Sequence, residues 1–501
     1  MLATVRSATL LGVHGQAVDV EVHVGTGLPG FTIVGLPDAA CREARDRVRA
    51  AIESSGVDWP SRKITINLAP SDVKKRGAAL DLAMAVGVLV AAELVDASAL
   101  DNAAYLGELG LDGTIRPVRG ALPMADAISR EATVVVSPDN AQEVALLGRS
   151  SHGVGSLKQL LACIEGVDPW PSAPQCTTKP AAANSVDLTD VRGQTTAKLA
   201  LALSAAGGHH LLMVGPPGAG KTMLAKRLPG LLPQLDEVSA LEVTRIHSAA
   251  GELRAERLPI LDAPFRAPHH SASSVSLVGG GAQVMRPGEL SLAHRGVLFL
   301  DELGEFSPAA LDGLRQPLEE GEVRVTRAHA SSTYPADVLL VASMNPCPCG
   351  ESGAPGACRC SDAARARYHR RVSGPLLDRF DLRIGVDRPG AQELFDLPSG
   401  ETSVEVAERV AEARDRAVLR NGCVNGRLTA KRLDEVAPLT DGARTILETA
   451  LTQGRLSARG VGRVRAVART IADFESADAQ ITVDQICLAM SLRVDPFGGR
   501  A

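Results

Sequence analysis

Apolar and polar residues alternate with a period of two over Val18-Asp19-Val20-Glu21-Val22-His23-Val24 and again over Lys63-Ile64-Thr65-Ile66-Asn67-Leu68. That pattern predicts strands with one buried face. Amphipathic helical stretches fall between them, so residues 1–167 read as a compact α+β domain. The longest apolar run, Leu80 to Leu94, is interrupted by Asp81 and Glu93, which predicts a core helix and not a membrane span. Prolines and small residues gather from Asp168-Pro169-Trp170-Pro171 to Asn184, the composition of a linker over 168–185. From 186 to 388, apolar runs end in Gly- and Pro-rich turns, as in an α/β domain built on a parallel sheet. After Arg388-Pro389-Gly390 the period changes to that of helices, with Glu405 to Leu419, Ala443 to Thr452 and Val461 to Phe474 each predicted helical. Residues 389–501 thus read as a helical lid.

Composition narrows this picture. The chain has 501 residues, 45% apolar and 22% charged, enough to bury several cores as a soluble multidomain protein. A formal net charge of -5 gives no global basic field, so any nucleic-acid contact must come from locally placed Arg and Lys. The start, Met1-Leu2-Ala3-Thr4-Val5-Arg6, lacks the basic-then-apolar plan of a signal peptide, and a cytoplasmic location is expected. Nine cysteines make an odd number for a disulfide framework and suggest reduced thiols.

The strongest local signal is Gly215-Pro216-Pro217-Gly218-Ala219-Gly220-Lys221-Thr222, directly after the apolar run Leu211-Leu212-Met213-Val214. Such a loop wraps a phosphate chain in backbone N–H groups, with Lys221 at the terminal phosphates and the Thr222 hydroxyl on Mg²⁺. ATP with Mg²⁺ is the expected cofactor. A second apolar run, Gly296 to Leu300, ends in Asp301-Glu302. Asp301 is the candidate for the metal's water shell, and Glu302 the candidate base that polarises the attacking water. A third, Val338 to Ala342, is followed by Ser343-Met344-Asn345; the Asn345 amide is a candidate for orienting that water, the alternative being a turn residue before Pro346.

Pro287-Gly288-Glu289-Leu290-Ser291-Leu292-Ala293-His294-Arg295-Gly296 leads into Asp301-Glu302, and Asn345-Pro346-Cys347-Pro348-Cys349-Gly350 and Gly374-Pro375-Leu376-Leu377-Asp378-Arg379-Phe380-Asp381 follow. With these runs the chain resembles, over nearly its whole length, the magnesium-chelatase-like AAA+ ATPases of the YifB/ComM family. The resemblance implies a hexameric ATP-hydrolysing motor and a DNA helicase or branch-migration factor in DNA uptake and recombination. A motor that remodels a partner protein, like the magnesium-chelatase motor subunit, is the alternative. The resemblance also implies that Arg379 is an arginine finger reaching a neighbour's ATP, with an ion pair to Asp378 or Asp381 as its bland reading. Arg459 is implied as the lid arginine that senses nucleotide, with Arg463, one helical turn on, able to take the role. ATP is then expected between the ATPase domain and the lid. His269 and His270 match the family pattern without a role that chemistry suggests.

The first 167 residues resemble, at the level of fold, the proteolytic domain of Lon proteases. In Lys75-Arg76-Gly77-Ala78-Ala79-Leu80-Asp81, Ala79 stands where those proteases carry the nucleophilic serine. Lacking a hydroxyl there, the domain is expected to be non-proteolytic. Ser71 nearby reads as a turn or cap residue, and Lys74, Lys75 and Arg76 as a small basic cluster, a solvated face or, as the alternative, part of a platform or nucleic-acid surface. Two segments are candidates for the pore of a ring: Gly279 to Gly288, and the hairpin-like Glu322 to Ala330. Arg286, Arg324 and Arg327 would contact phosphates there. Finally, Cys347, Cys349, Cys358 and Cys360 form a C-x-C-x8-C-x-C pattern joined by the Gly-rich segment 350–356. A structural Zn²⁺ tetrathiolate and unligated cysteines are its two readings.

Overall fold

In a computed structural model the protein is described over residues 1–501 except 73, 173–185, 254–257, 282–284, 328–329, 352–357, 396–399, 477–479 and 496–501. From 173 onward, the segment read as a linker lies outside the described residues.

The first α/β body is a seven-stranded mixed sheet. Its strand order is Gly30–Val34, Lys63–Ala69, His14–Gly25, Leu2–Leu11, Ala103–Tyr105, Thr133–Val136, Ser151–Gly153. The antiparallel hairpin Leu2–Leu11 with His14–Gly25 pairs Val5 with Val20 and Ala3 with Val22. This register puts the alternating valines on the face that packs on the helix Asp81–Ala91. Every residue of that helix is buried, as expected of one apolar on all sides. Close approach depends on Gly87, where a Cβ would stand 2.6 Å from a Val22 methyl. A second helix, Ala39–Ser54, is capped by the Asp38 carboxylate, which accepts from Cys41 N, and buries Cys41, Ala44, Val48, Ala51 and Ile52. The reading of Lys74, Lys75 and Arg76 as one solvated face needs correction. Lys75 is fully buried, its ammonium donating to the Pro70 carbonyl, so only its neighbours retain contact with solvent.

The second body is a five-stranded, wholly parallel sheet in the order Phe265–Arg266, Val297–Leu300, Leu339–Met344, Leu211–Val214, Leu382–Gly385. Leu211–Val214 and Val297–Leu300 are buried at every position, because helices or neighbouring elements cover both faces of such a sheet. The third predicted strand runs on through Ser343 and Met344, beyond the expected end at Ala342, because it pairs with the phosphate-loop strand as far as Val214 with Met344. Since all strands run one way, Gly215, Asp301 and Asn345 emerge together at the carboxyl edge, where ligands of open α/β sheets bind.

The C-terminal region is helical. Ser403–Asn421 starts with a Thr402/Glu405 capping box and stops at Gly422 in the left-handed region. Asp441–Thr452, Ala458–Phe474 and Val483–Ser491 complete it. These helices share one apolar core with Thr195–Gly207 and the parallel sheet. The two α/β bodies meet along the helix Glu237–Ala250: Gly120 N donates to the Ser248 carbonyl at 3.0 Å, the Ser248 hydroxyl to the buried Glu143 carboxylate, and Arg245 pairs with Asp126 at 2.7 Å. Among the described residues no helix is long and apolar enough to cross a membrane.

Candidate active site

The phosphate loop turns on glycines where side chains would be costly. Gly218 and Gly220 have φ of +79° and +89°, left-handed values that only glycine adopts freely. At Gly215 a Cβ would sit 1.9 Å from the Val386 carbonyl oxygen. The helix Lys221–Ala225 begins at once, with Gly220 as its N-cap. Lys221 Nζ donates to the Gly215 carbonyl at 2.5 Å, the Pro216 carbonyl at 2.9 Å and Asn345 Oδ1 at 3.2 Å. Burial lowers its pKa, while the charges of Asp301 and Glu302 raise it. Thr222 Oγ1 donates to Asp301 Oδ2 at 2.8 Å across 79 residues of sequence. The other Asp301 oxygen accepts from the Ser343 hydroxyl and from Glu302 N at 3.1 Å. A hydroxyl and a fixed carboxylate side by side, beneath a lysine, fit the donor set of a Mg²⁺ that also binds substrate phosphates.

Glu302 holds a left-handed φ of +53°, a strain of about 1–3 kcal/mol for a residue with a side chain. Its side chain is 52% exposed and its Oε2 stands 3.1 Å from His270 Nδ1. The sequence gives His270 no role beyond its match to the family pattern; it stands four residues after the short strand Phe265–Arg266. Nor does the pattern mark Ser343 as the residue that fixes Asp301, or Arg388 as more than part of a domain boundary. Arg388 Nε donates to the Pro217 carbonyl at 3.1 Å, and its charge acts on Lys221.

Arg379 and Arg459 stand elsewhere. Asp381 N and Leu382 N both donate to the His210 carbonyl at 3.0 Å, at the amino end of the phosphate-loop strand. Five residues separate His210 from Gly215, roughly 16 Å of parallel strand. Arg379, two residues before Asp381, is thus at the end of the sheet opposite Lys221. Its partner is Glu319 and neither Asp378, which pairs with Arg383, nor Asp381. Arg463 pairs with the buried Asp381 at 3.0 Å, and Arg459 precedes it by one turn on Ala458–Phe474. The Glu319 carboxyl is held below its usual range by its bond to Arg379 and the charges of Arg379, Arg459 and Arg463. The structure thus groups Arg459, the expected lid arginine, with Arg379 beside Glu319 and away from Lys221.

The four clustered cysteines are brought together. Their Sγ atoms all lie within 4.8 Å of one another, with Cys347–Cys349 at 3.3 Å and Cys358 at 3.7 Å from each of those two. A tetrahedron of thiolates at a Zn–S distance of about 2.3 Å has edges of about 3.8 Å, so the cluster is close to the size a zinc ion requires. Residues 352–357 of the connecting segment lie outside the described residues.

Both candidate pore segments are hairpins: Gly279–Gly280 pairs with Arg286–Pro287, and Glu322–Arg327 with Ala330–Pro335. They touch each other. The second is seated by Val323, Val325 and Tyr334 in a core shared with Val13 of the first body. Arg324 is exposed but bonded to Glu322. The Arg327 side chain, residues 328–329 and residues 282–284 lie outside the described residues. Ala79 is 7% exposed and packs among Ala8, Leu106 and Met124.

Family models described as magnesium chelatase, subunit ChlI, match residues 187–394 and 20–140, and one for the C-terminal part of that subunit matches 400–493. An uncharacterized protein of Mycobacterium tuberculosis is 44% identical over 499 residues, covering 97% of each chain. Escherichia coli YifB is 43% identical and Haemophilus influenzae competence protein ComM 41% identical, each over 98% of this chain and 97% of the relative.

Proposed function

The chain belongs to the YifB/ComM family of magnesium-chelatase-like AAA+ ATPases, and from that membership we propose that it is an ATP-driven ring motor acting on DNA. The observation that carries the ring is the division of its charges: Lys221, Thr222, Asp301 and Asn345 converge at one edge of the sheet, while Arg379 and Arg459 gather at the other. One chain holds half a site and offers the missing half to a neighbour, so the working form is a homo-oligomer, a hexamer by analogy with the family.

Lys221 and the loop amides hold the phosphates of ATP. Thr222 and Asp301 would hold Mg²⁺, which would supply positive charge against the phosphate chain. Glu302 takes a proton from the attacking water that Asn345 orients. Arg379 of a neighbour, joined by Arg459, spreads positive charge over the leaving phosphate oxygens. The products are ADP and phosphate.

DNA is favoured as the substrate by the likeness to a competence protein and by Arg286 and Arg324 on adjacent hairpins. Helicase or branch-migration activity in DNA uptake and recombination, within the cytoplasm, is the reading this supports. The pairing of Arg324 with Glu322 and the magnesium-chelatase likeness favour the second reading, an ATP-driven remodeller of a partner protein. The first body is Lon-like and non-proteolytic in this proposal, since the residue at 79 is a buried alanine without a nucleophile. Zinc on Cys347, Cys349, Cys358 and Cys360 is part of the same proposal. ATPase assays with single-stranded and branched DNA at low salt test it: stimulation together with strand displacement is expected. Absence of both binding and stimulation would overturn DNA in favour of the protein partner.

A further inference from the structure

Residues beside the four cysteines connect the cluster to three parts of the candidate ATP site. Cys347 lies two residues after Asn345, whose amide accepts from Lys221. Gly350, directly after Cys349, packs on the phosphate loop so closely that a Cβ there would come within 2.5 Å of Pro217 Cδ. Glu351 accepts from Arg388 Nη2 at 2.7 Å, and the same guanidinium donates to the Pro217 carbonyl. On the far side, Cys360 is followed by Ser361, which caps the helix Asp362–His369. This helix returns to the cluster: a His369 ring nitrogen lies 3.0 Å from the Pro346 carbonyl. Its Tyr368 ring presses on Gly304, where a Cβ would come within 2.5 Å of the ring. Gly304 follows Glu302 by two residues, and Arg371, just past the helix, donates to the Gly304 carbonyl at 2.9 Å.

We propose that a zinc ion on these four thiolates is a brace for catalysis, tying Asn345, the Pro217 side of the phosphate loop and the Glu302 turn into one unit. The proposal rests on the zinc reading above and goes beyond it by giving the metal control of turnover. The chemistry favours it because the two thiol pairs flank the connecting segment 350–357. Without a metal, no bond between the free cysteines ties Cys347 and Cys349 to Cys358 and Cys360. Four thiolate bonds fix Cys347, and through it the backbone that presents Asn345. Misplacing a water-orienting amide by about 1 Å costs on the order of 10²-fold in rate, so loosening the cluster acts on turnover more than on nucleotide affinity, which Lys221 and the loop amides supply.

The test uses the full chain purified without chelator. Metal analysis is expected to find one zinc per chain. Cys360→Ser is expected to lose the metal and lower kcat by about 10- to 100-fold, while binding of a fluorescent ATP analogue stays within about threefold of the parent. Cys360→His, which keeps a zinc ligand, is expected to retain both metal and turnover. Because a serine variant can fail to fold, the unmodified protein is also stripped with a zinc chelator and then titrated with Zn²⁺ alone; turnover is expected to fall and return with one equivalent. Zinc present, with kcat unchanged in Cys360→Ser and in stripped protein, overturns the brace and leaves the zinc reading standing. Zinc content near zero overturns both.

Discussion

The separation of Arg379 from Lys221 makes a quantitative prediction about mixed rings. Lys221→Ala removes the phosphate-binding half of the chain's own site, and Arg379→Ala removes the half offered to its neighbour. Each variant alone should lose about 10³- to 10⁵-fold in kcat, the range associated with an arginine finger, or more where binding also fails. In a ring assembled from equal amounts of the two, a working interface needs an intact phosphate loop on one side and an intact finger on the other. Each side is correct about half the time, so about one quarter of interfaces should be complete whatever the ring size. ATPase activity of the mixture, measured after denaturation and co-refolding or co-expression, should approach about a quarter of the parent if interfaces fire independently. Were Arg379 to serve its own chain, no combination would restore a site. Mixed rings verified by differently tagged subunits, with activity no higher than that of either variant alone, would falsify the in-trans assignment. The roughly 16 Å of strand between His210 and Gly215 is what makes that outcome unexpected.

Glu302→Gln is expected to keep ATP binding and lose about 10²- to 10⁴-fold in turnover; normal hydrolysis in a single-turnover assay would remove Glu302 as the base. Arg286→Ala with Arg324→Ala should leave basal ATPase intact and remove DNA stimulation, with the slope of log K against log salt falling by about 0.7 for each single-strand phosphate that is no longer neutralised. His210 supplies a pH prediction. Its Nδ1, on a partly covered ring, accepts from Leu340 N at 3.0 Å, and loss of solvent around the ring depresses its pKa from 6.5 to about 4. A depressed folded pKa means stability that is present above the unfolded value and lost as pH falls from about 6.5 through about 4. The loss amounts to roughly 3 kcal/mol. Thermal unfolding of the parent and of His210→Asn, whose amide oxygen can replace Nδ1, should show a steeper acid decline in the parent; parallel profiles would refute the cause.

The parallel sheet and the phosphate edge were legible because their signals are local. Leu211–Val214 and Val297–Leu300 are apolar without interruption, and each runs directly into residues of the candidate site. Helix periods of Ser403–Asn421 and Asp441–Thr452 were readable to within two residues at each end, since caps such as Thr402 with Glu405 are written in sequence. The seam between lid and sheet was not. Asp381 is bonded to His209 and ion-paired with Arg463, the same His209 reaches Thr470, and Asp473 gathers Arg420, Asn425 and Arg469. These residues do not announce their partners in their own neighbourhoods, since every partner but Arg469 comes from a distant segment. Burying them is tolerable only because partners from distant segments arrive together. Their arrangement has a consequence for the motor. Arg459, Arg463, Thr470 and Asp473 all stand on one helix, Ala458–Phe474, and Arg463 and Thr470 hold Asp381 and His209 at the foot of the phosphate-loop strand. A helix held at those two points connects Arg459 to the strand that presents Lys221. In the proposed ring, that linkage would join the half-site offered to a neighbour with the half-site the chain keeps.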